Sequence, residues 1–184
     1  GYHNSAIAGQ GHSGDISLTS LNGGLNLESG RRGDDYAQIG HGGRGAHGNH
    51  GDGGGNSSNI TINTAGDINL LGAQTVDGGN RDRMYTMIGH GGHDADFRNN
   101  STISGIDAAT GVQATGNTAG EHPNIPQSLA TGTSGNIVVR STGGAINMTG
   151  TSDTDRSRES FVQIGNGGFG NDGTHSGNIT VDAQ

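Results

Sequence analysis

Short runs in which apolar and polar residues alternate recur along this chain in a fixed order. Such alternation is typical of a strand that buries one of its two faces. In the first type of run, which follows an Asp or an Asn, two apolar residues are expected to point inward: Ile16/Leu18, Ile60/Ile62, Ile137/Val139 and Ile179/Val181. Each of these runs is therefore predicted to be a β-strand.

A second type of run places an asparagine between two inward apolar residues. Its three copies are Leu25-Asn26-Leu27, Ile68-Asn69-Leu70 and Ile146-Asn147-Met148. Asparagines at equivalent heights can stack as an outward amide ladder, as they do in cross-β assemblies. The turn Asn22-Gly23-Gly24 precedes the first copy, and its glycines are expected to supply a positive φ.

The third type of run is the most regular phrase of the chain. An aromatic residue, two variable residues and an Ile are followed by Gly-(His/Asn)-Gly-Gly, starting at Tyr36, Tyr85 and Phe161. The inward positions are predicted to be Ala37/Ile39, Thr86/Ile88 and Val162/Ile164. Repetition of a phrase at a fixed period indicates a stacked architecture.

Three strand types in fixed order predict an all-β parallel β-helix, a solenoid with three strands per rung and long loops. Ile16 and Ile60 are 44 residues apart, and Ile137 and Ile179 are 42 residues apart. We interpret each repeat as one rung, because only three strands can be found in it; two rungs of about 21 residues each are the alternative.

The domain prediction is a single β-helix segment, residues 1–184, cut from a larger protein, because the chain starts and stops within the pattern. The middle repeat spans 77 residues, from Ile60 to Ile137. Its excess predicts an insertion loop at about 97–132, where both prolines lie. Loops of this length in compact domains are commonly functional or disordered.

The amino-acid composition narrows the classes of partner that this chain could bind. Hydrophobic residues make up 27% of the chain, which suits the thin core of a solenoid, and 39 residues are glycine. The net charge is −8 and all nine Lys or Arg residues are arginines, which argues against nucleic acid as a partner. No apolar run approaches a membrane span, so no membrane insertion is expected.

The phrases Gly-Asp-Ile-x-Leu, Gly-Gly-Leu-Asn-Leu and Tyr-Ala-Gln-Ile-Gly-His-Gly-Gly resemble repeats of filamentous-haemagglutinin-like bacterial exoproteins, the large adhesins of two-partner secretion. The resemblance covers residues 14–43, 59–92 and 135–181. It implies a right-handed β-helix fibre that is exported to the cell surface or the medium. It also implies attachment to host or neighbouring cells, with glycans as candidate targets.

Two other functions stay open at this point. One is a self-assembling extracellular filament or matrix protein, whose copies would associate end to end through their open rungs. The other is a carbohydrate-active β-helix enzyme, which would need clustered acid and base groups in a groove. The chain has no lysine to act as a base, and no acidic pair recurs on one strand face, so we expect no catalysis and no catalytic residues.

Stacking brings equivalent residues of the third phrase together. The column His41/His90/Asn166 could brace a corner by hydrogen bonding to the backbone, or form part of a metal site, since imidazole is a common ligand. The column Tyr36/Tyr85/Phe161 could be covered by neighbouring loops or offer a platform for sugar rings.

No cofactor is expected, with calcium as the one alternative. Carboxylates in glycine-rich loops can bind Ca²⁺ through oxygen, and the candidates are Asp52, Asp77, Asp94 and Asp172. The tripeptide Arg32-Gly33-Asp34 spells an integrin-type motif on a predicted loop. It occurs in one repeat only, as chance would supply in a chain rich in Gly and Asp.

Overall fold

The computed structural model describes residues 12–44, 50–51, 58–73, 83–93, 133–151, 159–169 and 175–184. The predicted insertion at about 97–132 lies outside these ranges. In the described part of the chain the regular structure is β-strand, and no helix there is long and apolar enough to cross a membrane.

Fourteen strands are described. They are β1 Ile16–Ser20, β2 Leu25–Glu28, β3 Tyr36–Ile39, β4 His50–Gly51, β5 Ile60–Thr64, β6 Ile68–Leu71, β7 Tyr85–Ile88, β8 Gly91–His93, β9 Thr133–Ser134, β10 Ile137–Ser141, β11 Ile146–Thr149, β12 Phe161–Ile164, β13 Gly167–Phe169 and β14 Ile179–Ala183.

Three long parallel sheets form the walls of a solenoid. The first wall is β1-β5-β10-β14, the second is β2-β6-β11, and the third is β3-β7-β12. Ile16 pairs with Ile60, Ile60 with Ile137, and Ile137 with Ile179. Each repeat is therefore one rung, and the parallel β-helix prediction is confirmed. The alternative of two rungs per repeat is wrong.

Two short sheets join these walls, and neither was predicted. Strand β8 pairs with β13 just after the third wall, and β4 pairs with β9 just before the first. In the first rung the place of β8 is held by a single bridge from Gly42 to Gly91. These segments are two or three residues long and mostly Gly, Ser or Thr, so they carry no alternation of apolar and polar residues.

The core is a narrow column of stacked aliphatic side chains, enclosed by the three walls. Seven of its residues are fully buried, and most belong to the second rung, which has rungs on both sides: Ile60, Ile62, Ile68, Leu70, Ile88, Ile137 and Val139. Most residues at the same positions of the first and third rungs are partly buried against them. The predicted inward positions of these rungs therefore face the core, with Met148 as the exception.

Three positions predicted to point inward are half exposed. Met148, Ile179 and Val181 are 47%, 49% and 50% accessible, although Ile179 and Val181 pair in register with the buried Ile137 and Val139. No strand in the described ranges lies on their outer side. Burial in a solenoid depends on having a rung above as well as below, and alternation alone does not report this.

The glycines of the corner between the first and second walls act differently from the prediction. Gly23 and Gly24 are not among the residues with positive φ, so that expectation is wrong. A Cβ on Gly24 would strike the backbone carbonyl oxygen of Asp67 in the next rung. Close approach of two rungs, and not a left-handed backbone, requires glycine at position 24.

We predict that Ile60→Ala lowers the free energy of unfolding by about 2–5 kcal/mol, the usual cost of truncating a buried aliphatic side chain. Ile179→Ala is the matched control, since Ile179 occupies the same column of the same wall but is half exposed. The control should cost less than about half as much. Urea unfolding followed by circular dichroism measures both, and equal losses would contradict the rung order.

Candidate functional site: side-chain ladders along the axis

The corner after the third wall places three predicted site residues above one another. Backbone bonds from Gly89 N–H to Ile39 O and from Gly165 N–H to Ile88 O, each 2.9 Å, align the corners of the three rungs. His41 and His90 consequently stack, with ring centroids 5.1 Å apart and planes 5° from parallel.

Both ring nitrogens of His90 are engaged. The backbone N–H of His41 donates to its Nδ1 at 3.1 Å, and its Nε2 lies 2.8 Å from the carbonyl oxygen of Ser58. Because a carbonyl can only accept, the proton of the neutral ring must sit on Nε2. His41 repeats this contact one rung earlier, with its Nε2 2.8 Å from Gly14 O.

Asn166 makes equivalent hydrogen bonds to the backbone with its side-chain amide. Its Oδ1 accepts from the backbone N–H of His90 at 3.1 Å, and its Nδ2 donates to the carbonyls of Gly135 and Ser176, at 2.8 Å each. The column therefore ties the corner to the segment that enters the first wall. In the described structure these three side chains act as braces.

The same contacts bear on the metal alternative. Neither nitrogen of His90 has a lone pair to spare, because one accepts a backbone hydrogen bond and the other carries the proton. Among the described residues no group of three or more His, Asp or Glu side chains is placed to hold a metal ion. The four aspartates considered for calcium lie outside the described ranges.

His90 sits where a charge is costly. Its side chain is fully buried, and this burial lowers the pKa of His90 below the ordinary value of 6.5. The hydrogen bond to Ser58 works in the opposite direction, and the neighbouring His41 lowers the pKa further. Protonation would also place a hydrogen on Nδ1, opposite the backbone N–H of His41.

The aromatic column stacks in parallel on the outer side of the third wall. Ring centroids are 4.7 Å apart for Tyr36 and Tyr85 and 4.8 Å apart for Tyr85 and Phe161, with planes within 6°. Tyr85 is completely buried, and this burial raises its pKa. Tyr36, 40% exposed, is the member that a ligand could reach most readily.

The backbone after the third wall folds back over these rings. Gln38 Nε2 donates to the carbonyls of Gly89 and Gly91 at 3.0 and 3.1 Å, and Tyr85 Oη donates to Gln38 Oε1 at 3.3 Å. A Cβ on Gly92 would come within 2.8 Å of the Tyr85 hydroxyl. The glycines of the phrase thus leave room for the aromatic column, and the outer face of the wall becomes a second small core.

Two polar ladders run along the other walls. Asn69 Nδ2 donates to Asn26 Oδ1 at 2.7 Å, and Asn147 Nδ2 donates to Asn69 Oδ1 at 2.9 Å. At the entrance to the first wall, the backbone N–H groups of Asn59, Asn136 and Asn178 each donate to the Asp or Asn side chain of the rung before. Every rung is held to its neighbour by side chains as well as by backbone.

A charged column before the third wall was missed. Asp34, Arg83 and Glu159 each stand two residues before the aromatic residue and share a positive φ of 71°, 65° and 58°. Arg83 and Arg44 reach Asp34 Oδ1 at 2.6 and 3.0 Å, while Glu159 Oε2 lies 2.8 Å from His93 Nε2. No sequence pattern marks this column, because three different residue types adopt one backbone conformation.

These ion pairs also bear on whether the Arg32-Gly33-Asp34 motif can bind an integrin-type partner. Its aspartate carboxylate is held by Arg44 and Arg83, and its Arg32 backbone lies in a turn closed by Asp35. The carboxylate that an integrin-type partner would need is therefore committed to contacts within the chain.

The sequence matches no protein-family model, no curated protein and no solved structure.

We predict that acid destabilises the fold through His90. Because its pKa in the folded state is lowered, the unfolded chain takes up the proton first as pH falls below 6.5. The resulting loss is at most about 1.4 kcal/mol per pH unit until the folded-state pKa is passed. Melting temperatures between pH 7.5 and pH 5 measure it.

His90→Asn is the control for this effect, since Asn166 shows that an amide fits the same corner of the next rung. The variant should fold at neutral pH. It should lose the part of the acid sensitivity that His90 contributes and keep the part that the other histidines contribute. If wild type and variant show the same pH dependence, His90 is not the group responsible.

We also predict that Asn69→Ala costs about 1–3 kcal/mol, because it removes two ladder hydrogen bonds worth roughly 0.5–1.5 kcal/mol each. Asn63→Ala is the matched change, since Asn63 is an outward-pointing strand residue whose side chain makes no hydrogen bond in the described part of the chain. Urea denaturation measures the stability of both variants. Equal stability would show that the asparagine ladder does not stabilise the fold.

Proposed function

We propose that this chain is a structural and binding segment of a secreted bacterial surface adhesin fibre, which attaches to cells or glycans. The observation that carries the proposal is the repetition of side-chain ladders along the axis. Amide, His/Asn and aromatic columns each continue from rung to rung in one register. Cohesion concentrated along one axis is what a load-bearing shaft needs.

The placement of the variable segments supports a display role. Connections between the first and second walls are short, namely 21–24, 65–67 and 142–145. The segments that separate the strands of the second and third walls are longer, namely 29–35, 72–84 and 150–160, and residues 94–132 separate β8 from β9. Segments of variable length at fixed edges of a rigid scaffold are where binding residues commonly lie.

The resemblance of the repeats to filamentous-haemagglutinin-like exoproteins supports the same role, since those proteins are exported fibres. The net charge of −8 disfavours an anionic partner such as nucleic acid. We therefore propose cell-surface glycans and proteins as the binding partners of this chain, and we propose no reaction for it.

We predict that the purified chain binds glycans or cell surfaces, and that replacing 97–132 by a short Gly-Ser linker weakens binding by about tenfold or more. The melting temperature should hardly change, because the described walls and their ladders contain none of residues 97–132. Glycan arrays and cell-attachment assays measure binding, with Thr61→Ala on the outward side of the first wall as the control. A folded chain that binds neither glycans nor cells would refute the adhesin role.

A filament-forming role has a separate observation in its favour. Inward apolar side chains are half exposed at the C-terminal end of the stack, at Met148, Ile179 and Val181, and another rung in register would bury them. A second copy or a neighbouring segment of one fibre could supply that rung. Concentration-dependent fibres in sedimentation and electron microscopy would favour this role, and a monomer at high concentration would exclude it.

A further inference from the structure

The chain contains two Asn-Gly pairs, Asn22-Gly23 and Asn166-Gly167, and both lie in the described ranges. In such a pair the backbone nitrogen of glycine can approach the asparagine side-chain carbonyl carbon closely, because glycine has no Cβ in the way. Attack at that carbon begins the conversion of asparagine to aspartate. The two pairs differ in whether hydrogen bonds restrain the asparagine side chain and the glycine nitrogen.

Asn166-Gly167 is locked against this reaction. The side chain of Asn166 accepts from His90 N–H and donates to two carbonyls, so its carbonyl carbon cannot turn toward the following nitrogen. The attacking group is also occupied, since the N–H of Gly167 donates to His90 O at 2.8 Å. The brace that holds the corner thus protects its own asparagine.

Asn22-Gly23 has none of these restraints. Asn22 is exposed at the corner between β1 and β2, and within the described structure neither its side chain nor the Gly23 N–H makes a hydrogen bond. A Cβ built on Gly23 would meet only the Ser20 hydroxyl oxygen, at 3.6 Å. The asparagine amide and the glycine nitrogen are therefore both available to react.

The same corner can also accept the product. In the first rung it contains residues 21–24, while the second rung closes the equivalent corner with residues 65–67. The two corners remain joined by bonds from Ala65 N–H to Ser20 O and from Gly66 N–H to Gly23 O, both 3.0 Å. A corner that tolerates one residue more or less can absorb the single extra backbone atom of an isoaspartate.

We propose that Asn22 is a site of spontaneous deamidation in the folded protein. The Gly23 nitrogen loses its proton, attacks Cγ of Asn22 and expels ammonia, which leaves a cyclic succinimide. Water then opens either carbonyl of the ring and yields aspartate or isoaspartate at position 22. One water enters and one ammonia leaves, no oxidant is needed, and the net charge becomes one unit more negative than −8.

The test incubates the folded chain at mildly alkaline pH and follows each site by peptide mass spectrometry, with an isoaspartate methyltransferase assay for the product. Asn22 should react at least about a hundredfold faster than Asn166, because opening the corner means breaking several hydrogen bonds at once. In denaturant the two sites should react at similar rates.

Gly23→Ala is the decisive variant. Its backbone is not in the left-handed region and the added methyl group has room, so the fold should be kept while attack at Asn22 slows strongly. Equal rates at Asn22 and Asn166 in the folded chain would overturn the proposal. So would a difference between the sites that persists in denaturant, because the protection would then not come from the fold.

Discussion

The structure depends on one constraint, that each residue must lie directly against its counterpart one rung away. Parallel pairing with identical register in all three walls imposes it, from Ile16 through Ile60 to Ile137. Under this constraint a favourable like-with-like contact is repeated at every rung, and an unfavourable one would be repeated as well. Residue types that match themselves recur in most columns: aliphatic chains inside, and amides or stacked rings outside. Before the third wall the residue type changes from rung to rung, and there Arg83 pairs with the opposite charge of Asp34.

Glycine makes this proximity possible. At Gly24, Gly40 and Gly89 an added Cβ would collide with a carbonyl of the adjacent rung, so the corners can stack only without side chains. The backbone groups that turn at these corners still need partners, and His41, His90 and Asn166 supply them. A neutral imidazole and an amide are interchangeable here, because each offers one acceptor and one donor in nearly the same places. Burial of this column makes its charge state matter for stability.

Much of the fold could be predicted from the chain itself. Period-two alternation located the strands of all three walls, and the recurring phrases gave their order and register. The His/Asn and Asn columns were identified because identical residues recur at equal phase. The short strands β4, β8, β9 and β13 escaped prediction since they are two or three residues long and mostly Gly, Ser or Thr, so they carry no alternation of apolar and polar residues. The column Asp34, Arg83 and Glu159 escaped because its members share a φ and not a residue type.

What the sequence determined by itself is periodicity: which residues face inward, which recur above one another, and how many walls each rung has. Tertiary structure decided what those columns do. Only with the rungs in place is it clear that His90 has both nitrogens engaged, that Tyr85 is covered by its own corner, and that Asn166 is pinned while Asn22 is not. The physical reason is that these properties depend on backbone groups from other rungs and corners, as far as 76 residues away along the chain for His90 and Asn166, and no local pattern encodes their approach.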